Sequence, residues 1–129
     1  GLDNMHLVGV MPKRTVQRFL QEMDTLVVPW PSSPLYRFGV SPNKIFDYML
    51  AGRPIIQCSD ASNDLVGEAQ CGHTVPAENP AALTDAIRRL AGMSPAERAV
   101  FGQNGRRFVL EHHDYRVLAS RFIAATAAA

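Results

Sequence analysis

Residues 25–58 read TLVVPWPSSPLYRFGVSPNKIFDYMLAGRPIIQC, and this stretch decides the fold. Thr25–Pro29 is a short apolar run with β-branched residues, the pattern of a buried strand. Residues 30–41 carry Pro, Ser and Gly and predict a long irregular loop. A helix is expected from Pro42 to Ala51. Ser41 would supply an N-cap hydroxyl, Pro42 suits the first helical position, and Gly52 suits the far end as a left-handed terminator. Pro54–Cys58 is a second apolar run of strand length. Strand, loop, helix, strand is the repeating unit of a parallel sheet.

The same alternation extends outward in both directions. Met5–Val10, MHLVGV, predicts an earlier strand, and in KRTVQRFLQEM behind it Val16, Phe19, Leu20 and Met23 share one helical face. Downstream, SNDLVGEAQ predicts a short helix capped by Ser62 or Asn63 and ended by Gly72, and HTVP a brief last strand. Three helices follow. Asn79 and Pro80 open one, with Leu83, Ile87 and Leu90 on one face. Ser94 and Pro95 open the next. Asp114 opens the last, apolar at Val117, Leu118, Phe122 and Ile123. The expected class is α/β, a Rossmann-like three-layer sandwich with a parallel sheet covered on both faces. Ligands of such sheets bind at the carboxyl ends of the strands, which is where the loop 30–41 lies.

Composition narrows the function classes. At 129 residues the chain is one domain, residues 1–129. A content of 47% hydrophobic and 19% charged residues is that of a soluble globular protein. A net charge of +1 gives no field for nucleic acid or an anionic membrane, so a bound anion must be held by local geometry. Cys58 and Cys71 fit no metal spacing and are expected to be free buried thiols in a reducing cytosol. His112 and His113 would point about 100° apart on a helix. They are expected to act as helix-end cations, and no metal site is expected. No run reaches the roughly 18 apolar residues of a membrane span, and no signal peptide opens the sequence. The first residues run straight into a strand-like segment, as in a piece that starts inside a larger protein.

The loop and helix start at 38–47 carry the chemistry. A helix N-terminus offers free N–H groups and about half a positive charge, which suits a phosphate. Gly39 would let the backbone approach closely. Ser41 adds a hydroxyl, Asn43 an amide and Lys44 a full charge in the first turn. Asp47, one turn on, is a carboxylate that can accept from two hydroxyls of a ribose. Phosphate at the cap and a diol one turn away is the shape of a nucleotide. Against this stands a surface Lys44–Asp47 ion pair, worth a few tenths of a kcal/mol. Asp60 and Asp64 follow a strand end and are read first as caps. Trp30 and Tyr36 could stack on a base or pack the loop. Arg88, Arg89, Arg106 and Arg107 are read as solvated helix faces.

The ordered segments NMHLVGV, TLVVPWPSS, the loop, the helix ending Ala51-Gly52-Arg53-Pro54, PIIQC, AQCGHTVPAENPAALTDAIRRL and NGRRFVLEHHDYRVLASRF resemble the C-terminal nucleotide-binding half of the retaining glycosyltransferases of family 4, which have the GT-B fold. The resemblance implies a nucleotide-diphosphate sugar donor and no metal or other cofactor. It implies contact with the base at Val10 and Met11. It puts the diphosphate along Phe38, Gly39, Ser41, Asn43 and Lys44, and the ribose at Asp47, with Lys44 stabilising the leaving diphosphate. The family motif is a Glu, seven intervening residues and a second Glu. Here Asp47 takes the second place and Gly39 the first, and SPNK resembles a subgroup with a Pro-Asn-Lys or Pro-Ser-Lys helix start. Such enzymes carry an N-terminal Rossmann domain with the acceptor site, so the fragment alone is expected to be inactive. The implied setting is cytoplasmic polysaccharide or cell-envelope synthesis, with membrane association only for the full-length enzyme. The alternatives are a sugar-nucleotide epimerase half and a non-catalytic doubly wound regulatory or interaction module.

Overall fold

The computed structural model of the protein describes residues 3–127. A three-stranded sheet forms its centre: β1 (Leu26–Pro29), β2 (Ile55–Cys58) and β3 (Gly72–Val75), in that spatial order. All pairing is parallel, with Leu26 opposite Ile55 and Ile55 opposite Gly72. Helices α1 (Lys13–Gln21), α2 (Asn43–Ala51), α3 (Leu65–Glu68), α4 (Pro80–Gly92), α5 (Pro95–His112) and α6 (Tyr115–Ala127) complete the chain. All four residues of β2 are buried, as expected of a parallel strand covered on both faces.

Side chains alternate across the pleat and divide the core. Val28 and Ile55 turn to one face, where Ile45 and Met49 of α2, Val66 of α3 and Val109 of α5 meet them. Val27, Ile56 and Val75 turn to the other, against Ala86 and Leu90 of α4. Leu20 of α1 packs with Leu26 and Ala51, holding that helix beside β1 and α2. The result is the expected Rossmann-like sandwich of helix, sheet and helix layers.

Helix α5 approaches the end of α2 closely because it presents glycines there. A Cβ at Gly102 would stand 1.9 Å from the Gly52 carbonyl oxygen, and one at Gly105 would stand 2.9 Å from the Cys71 Cβ. Both cysteines are free and buried, and burial pushes the Cys71 thiol up to about 12.

Several expectations are corrected. Met5–Val10 forms no strand, and Leu7 and Val10 are 89% and 103% exposed. A strand exists by pairing its backbone. β1 pairs only with β2 among the described strands, and the segment is not laid along its other edge. The loop after β1 is not wholly irregular: Pro34–Phe38 winds into a 3-10 turn, with the Ser33 hydroxyl accepting from the Leu35 N–H at 3.3 Å. The short helix α3 is capped by Asp64, which accepts from the Gly67 N–H at 2.9 Å, and not by Ser62 or Asn63. Gly72 opens β3 and does not end α3, because β3 passes so close to Ile55 that a Cβ there would meet its carbonyl oxygen. Asn79 and Ser94 cap α4 and α5 as expected, Ser94 in a reciprocal pair with Glu97 that holds the Glu97 carboxyl below its usual value. On α6, Leu118, Phe122 and Ile123 are exposed, so its apolar face has no partner among the described residues.

Candidate functional site

Helices α1 and α2 each lead into the amino end of a parallel strand, so their own N-termini point to the carboxyl edge of the sheet. The loop from β1 and the turns after β2 and β3 meet at the same edge. The loop is fixed there by Asn63, whose side-chain oxygen accepts from the Val40 N–H and whose amide donates to the Val40 carbonyl, both at 2.8 Å. Ser62 N–H donates to the Tyr36 carbonyl at 3.1 Å, and Trp30 meets Tyr36 edge-on with centroids 6.4 Å apart. Trp30 and Tyr36 thus pack the loop down, the plainer of the two readings of those rings.

Gly39 has φ +88°, a conformation that favours glycine. A Cβ there would lie 3.1 Å from the Asn63 Oδ1. The missing side chain therefore makes room for the Asn63 clamp. The clamp also shifts the start of α2. Pro42 keeps extended backbone at ψ 128°, so it sits at the N-cap, and the helix begins at Asn43. Ser41 is exposed and does not cap, a correction of the expected role. Lys44 stands at the second helical position, one earlier than the sequence suggested.

No side chain caps α2. The Ile45 N–H turns back to the Pro42 carbonyl at 3.1 Å. Among the described residues, the Asn43 and Lys44 N–H groups have no acceptor. Ser41, Asn43 and Lys44 are all exposed around them. The structure therefore brings Gly39, Ser41, Asn43 and Lys44 together at an open, electropositive helix end.

Asp47 lies one turn further along α2 and is exposed. Among the described residues it forms no ion pair with Lys44, so the surface salt-bridge reading fails. Its partner is Gln17 of α1, whose amide donates to the Asp47 carbonyl at 3.1 Å and reaches the carboxylate at 3.5 Å. Beside it, burial and then the Asp47 charge raise the Tyr48 hydroxyl.

Other expected contacts are not brought in. Phe38 is 75% exposed, with the Arg37 guanidinium 4.7 Å over its ring. Val10 is fully exposed in coil ahead of α1, and Met11 is half-buried. Asp60 accepts from the Ala77 N–H at 3.1 Å, and Asp64 accepts from Gly67 and from the Thr74 hydroxyl. Both carboxylates are thus tied into turns. His113 caps α5 and stacks on Phe46 at 4.3 Å between centroids. Desolvation, His112 and Arg121 lower its pKa, so it is a packing ring more than the expected helix-end cation. Among the described residues no three His, Cys, Asp or Glu side chains gather as a metal site, and no helix is long and apolar enough to cross a membrane.

Sequence reasoning missed Asn63 as the loop clamp and Gln17 as the partner of Asp47. Neither belongs to a motif, and each acts on a residue more than twenty positions away.

A search of curated proteins and a search of solved structures each returned no match. The family profile described as Glycosyl transferases group 1 matches residues 1–92, well over half of the 129. With a parallel α/β sheet and an open helix start at its carboxyl edge, the chain belongs to the glycosyl transferases group 1 family.

Proposed function

We propose that this glycosyltransferase chain holds a nucleotide-diphosphate sugar and takes part in transfer with retention of anomeric configuration, as the C-terminal half of a two-domain GT-B enzyme of family 4. The observation that carries this reading is the uncapped N-terminus of α2, with the Asn43 and Lys44 N–H groups unpartnered and the Lys44 side chain exposed beside them. Two free donors, a helix dipole and one ammonium suit the diphosphate. Asp47, one turn along, would accept from the ribose hydroxyls, with Gln17 orienting its carboxylate. Val10 and Met11, just ahead of α1, would approach the base.

The mechanism follows from charge. As the glycosidic bond breaks, negative charge grows on the departing diphosphate. The fixed N–H groups and Lys44 stabilise that charge more strongly in the transition state than in the ground state, which lowers the barrier. No metal is needed for this role. The acceptor, a glycan, lipid or small molecule, would be held by an N-terminal Rossmann domain, and the fragment alone would be inactive. The setting would be cytoplasmic, with any membrane contact made by the full-length enzyme. An epimerase needs an acid and a base at the sugar, and Asp60 and Asp64 are already committed to structural hydrogen bonds.

Calorimetric titration with UDP and GDP tests the reading. One of them should bind, and Lys44→Ala should weaken it about fivefold to tenfold, the effect of one charge-assisted contact. If neither nucleotide binds at concentrations on the order of millimolar, the donor reading fails and an interaction module takes its place.

A further inference from the structure

Gln17 of α1 is half-buried, and the Asp47 side chain it touches is exposed. Its Nε2 donates to the Asp47 carbonyl at 3.1 Å and reaches the carboxylate at 3.5 Å. Its other end, Oε1, is buried and meets no donor among the described residues. The two facts are linked. A carboxamide has one donating and one accepting end. With the ends exchanged, Oε1 would face two oxygens of Asp47, so holding Asp47 obliges the amide to bury its acceptor unpaired. An unpaired buried acceptor destabilises a fold. The packing of α1 does not call for it, because Leu20, with Val16 and Phe19, already seats that helix by apolar contact. A methionine would fill about the same space with no polar atom to satisfy.

What the arrangement gains is a restrained carboxylate. An exposed Asp side chain samples several rotamers, and a ligand that uses it must select one at an entropic cost. A donor beside the carboxylate removes part of that cost before the ligand arrives. We propose that Gln17 is a positioning residue that sets Asp47 for a vicinal diol and is kept at the expense of stability. This rests on the donor reading above, in which Asp47 takes the ribose, and it adds a selectivity to that reading. The help of Gln17 reaches a ligand only through its hydroxyls, and not through a diphosphate at Asn43 and Lys44.

The test is calorimetric titration with UDP, GDP and their 2′,3′-dideoxy forms. In Gln17→Met the affinity for the ribonucleotide that binds should fall about threefold to tenfold, the size of one hydrogen bond. The affinity for its dideoxy form should stay within about twofold of the wild type's. The Tm should rise, or fall by no more than about 3 °C. Added to Asp47→Ala, the same substitution should change affinity by less than about twofold, because Gln17 acts through Asp47. An equal loss for both forms, or an unchanged affinity for the ribonucleotide, overturns the inference alone. A larger fall in Tm also overturns it, since Gln17 would then be a tie between α1 and α2. A second reading comes from the Gln17 side-chain NH2 resonances of the wild-type chain, which should shift with the ribonucleotide and not with its dideoxy form. Silence there while the Asn43 and Lys44 amides move overturns the inference and leaves the diphosphate in place. Binding of neither UDP nor GDP overturns the donor reading and this inference together.

Discussion

At its C-terminal end helix α2 is closed by Gly52 in the left-handed conformation at φ +71°, and the Gly52 N–H donates to the Met49 carbonyl at 3.1 Å. Gly102 of α5 presses its backbone against that turn. At the N-terminal end of the same helix nothing caps the chain, and Ser41, Asn43 and Lys44 face solvent. One end is buried and satisfied, and the other is open and charged. The contrast separates the residues that hold the fold from those that would hold a ligand, and substitutions at the two ends should have different consequences.

The largest expected effect is at the closed end. Gly102→Ala places a Cβ 1.9 Å from the Gly52 carbonyl, which the backbone can relieve only by parting α2 and α5. We expect a loss of about 3 kcal/mol or more and a fall in Tm of about 10 °C or more. A melt within two or three degrees of the wild type, by circular dichroism, would show that the contact is not tight.

Asn63→Ala sharpens the comparison from the open side. It removes both hydrogen bonds to Val40 and should cost about 1–3 kcal/mol. The released loop should also weaken nucleotide binding, although Asn63 itself need not touch the ligand. Normal affinity in the folded variant would mean that the clamp serves stability alone.

Lys44→Ala should leave stability within about 0.5 kcal/mol of the wild type, as for an exposed residue without a partner. A clear loss of Tm by scanning calorimetry would reveal a structural role and blur the distinction between the two ends.

The smallest effect is a pH dependence carried by His113. Its folded pKa lies below the ordinary 6.5, chiefly because of desolvation against Phe46 and Phe108. The unfolded chain therefore binds the proton more readily. The contribution of the neutral ring is complete above pH 6.5 and is lost as the pH falls through the folded value. Stability should be lower at pH 5 than at pH 7.5, and His113→Gln should flatten that difference. An unchanged slope in the variant would assign the dependence to another group.

The core elements of the fold were legible because their signals are local. The apolar runs at 26–29 and 55–58, the Asn79-Pro80 and Ser94-Pro95 caps and the Gly52 terminator each state their element within a few residues. Met5–Val10 misled, because a strand depends on a partner that its own composition cannot supply. Ser41 misled for a related reason. Ser-Pro predicts a cap, but Asn63, more than twenty residues away, fixes Val40 and moves the helix start. The glycines of α5 give no local sign of their role, which is to let the Gly52 turn and Met49 pack closely against that helix. At the site, the local cluster 39–44 was visible in sequence order. Its long-range supports, Asn63 and Gln17, were not.

The central claim is that the open start of α2 receives a diphosphate. The most direct test is the amide spectrum of the chain under titration with the nucleoside diphosphate that binds. Asn43, Lys44 and Ile45 should show the largest shifts, while Gly52 and Gly102 at the closed end stay fixed. Shifts confined to other loops, with Asn43 and Lys44 unmoved at saturation, would contradict the account.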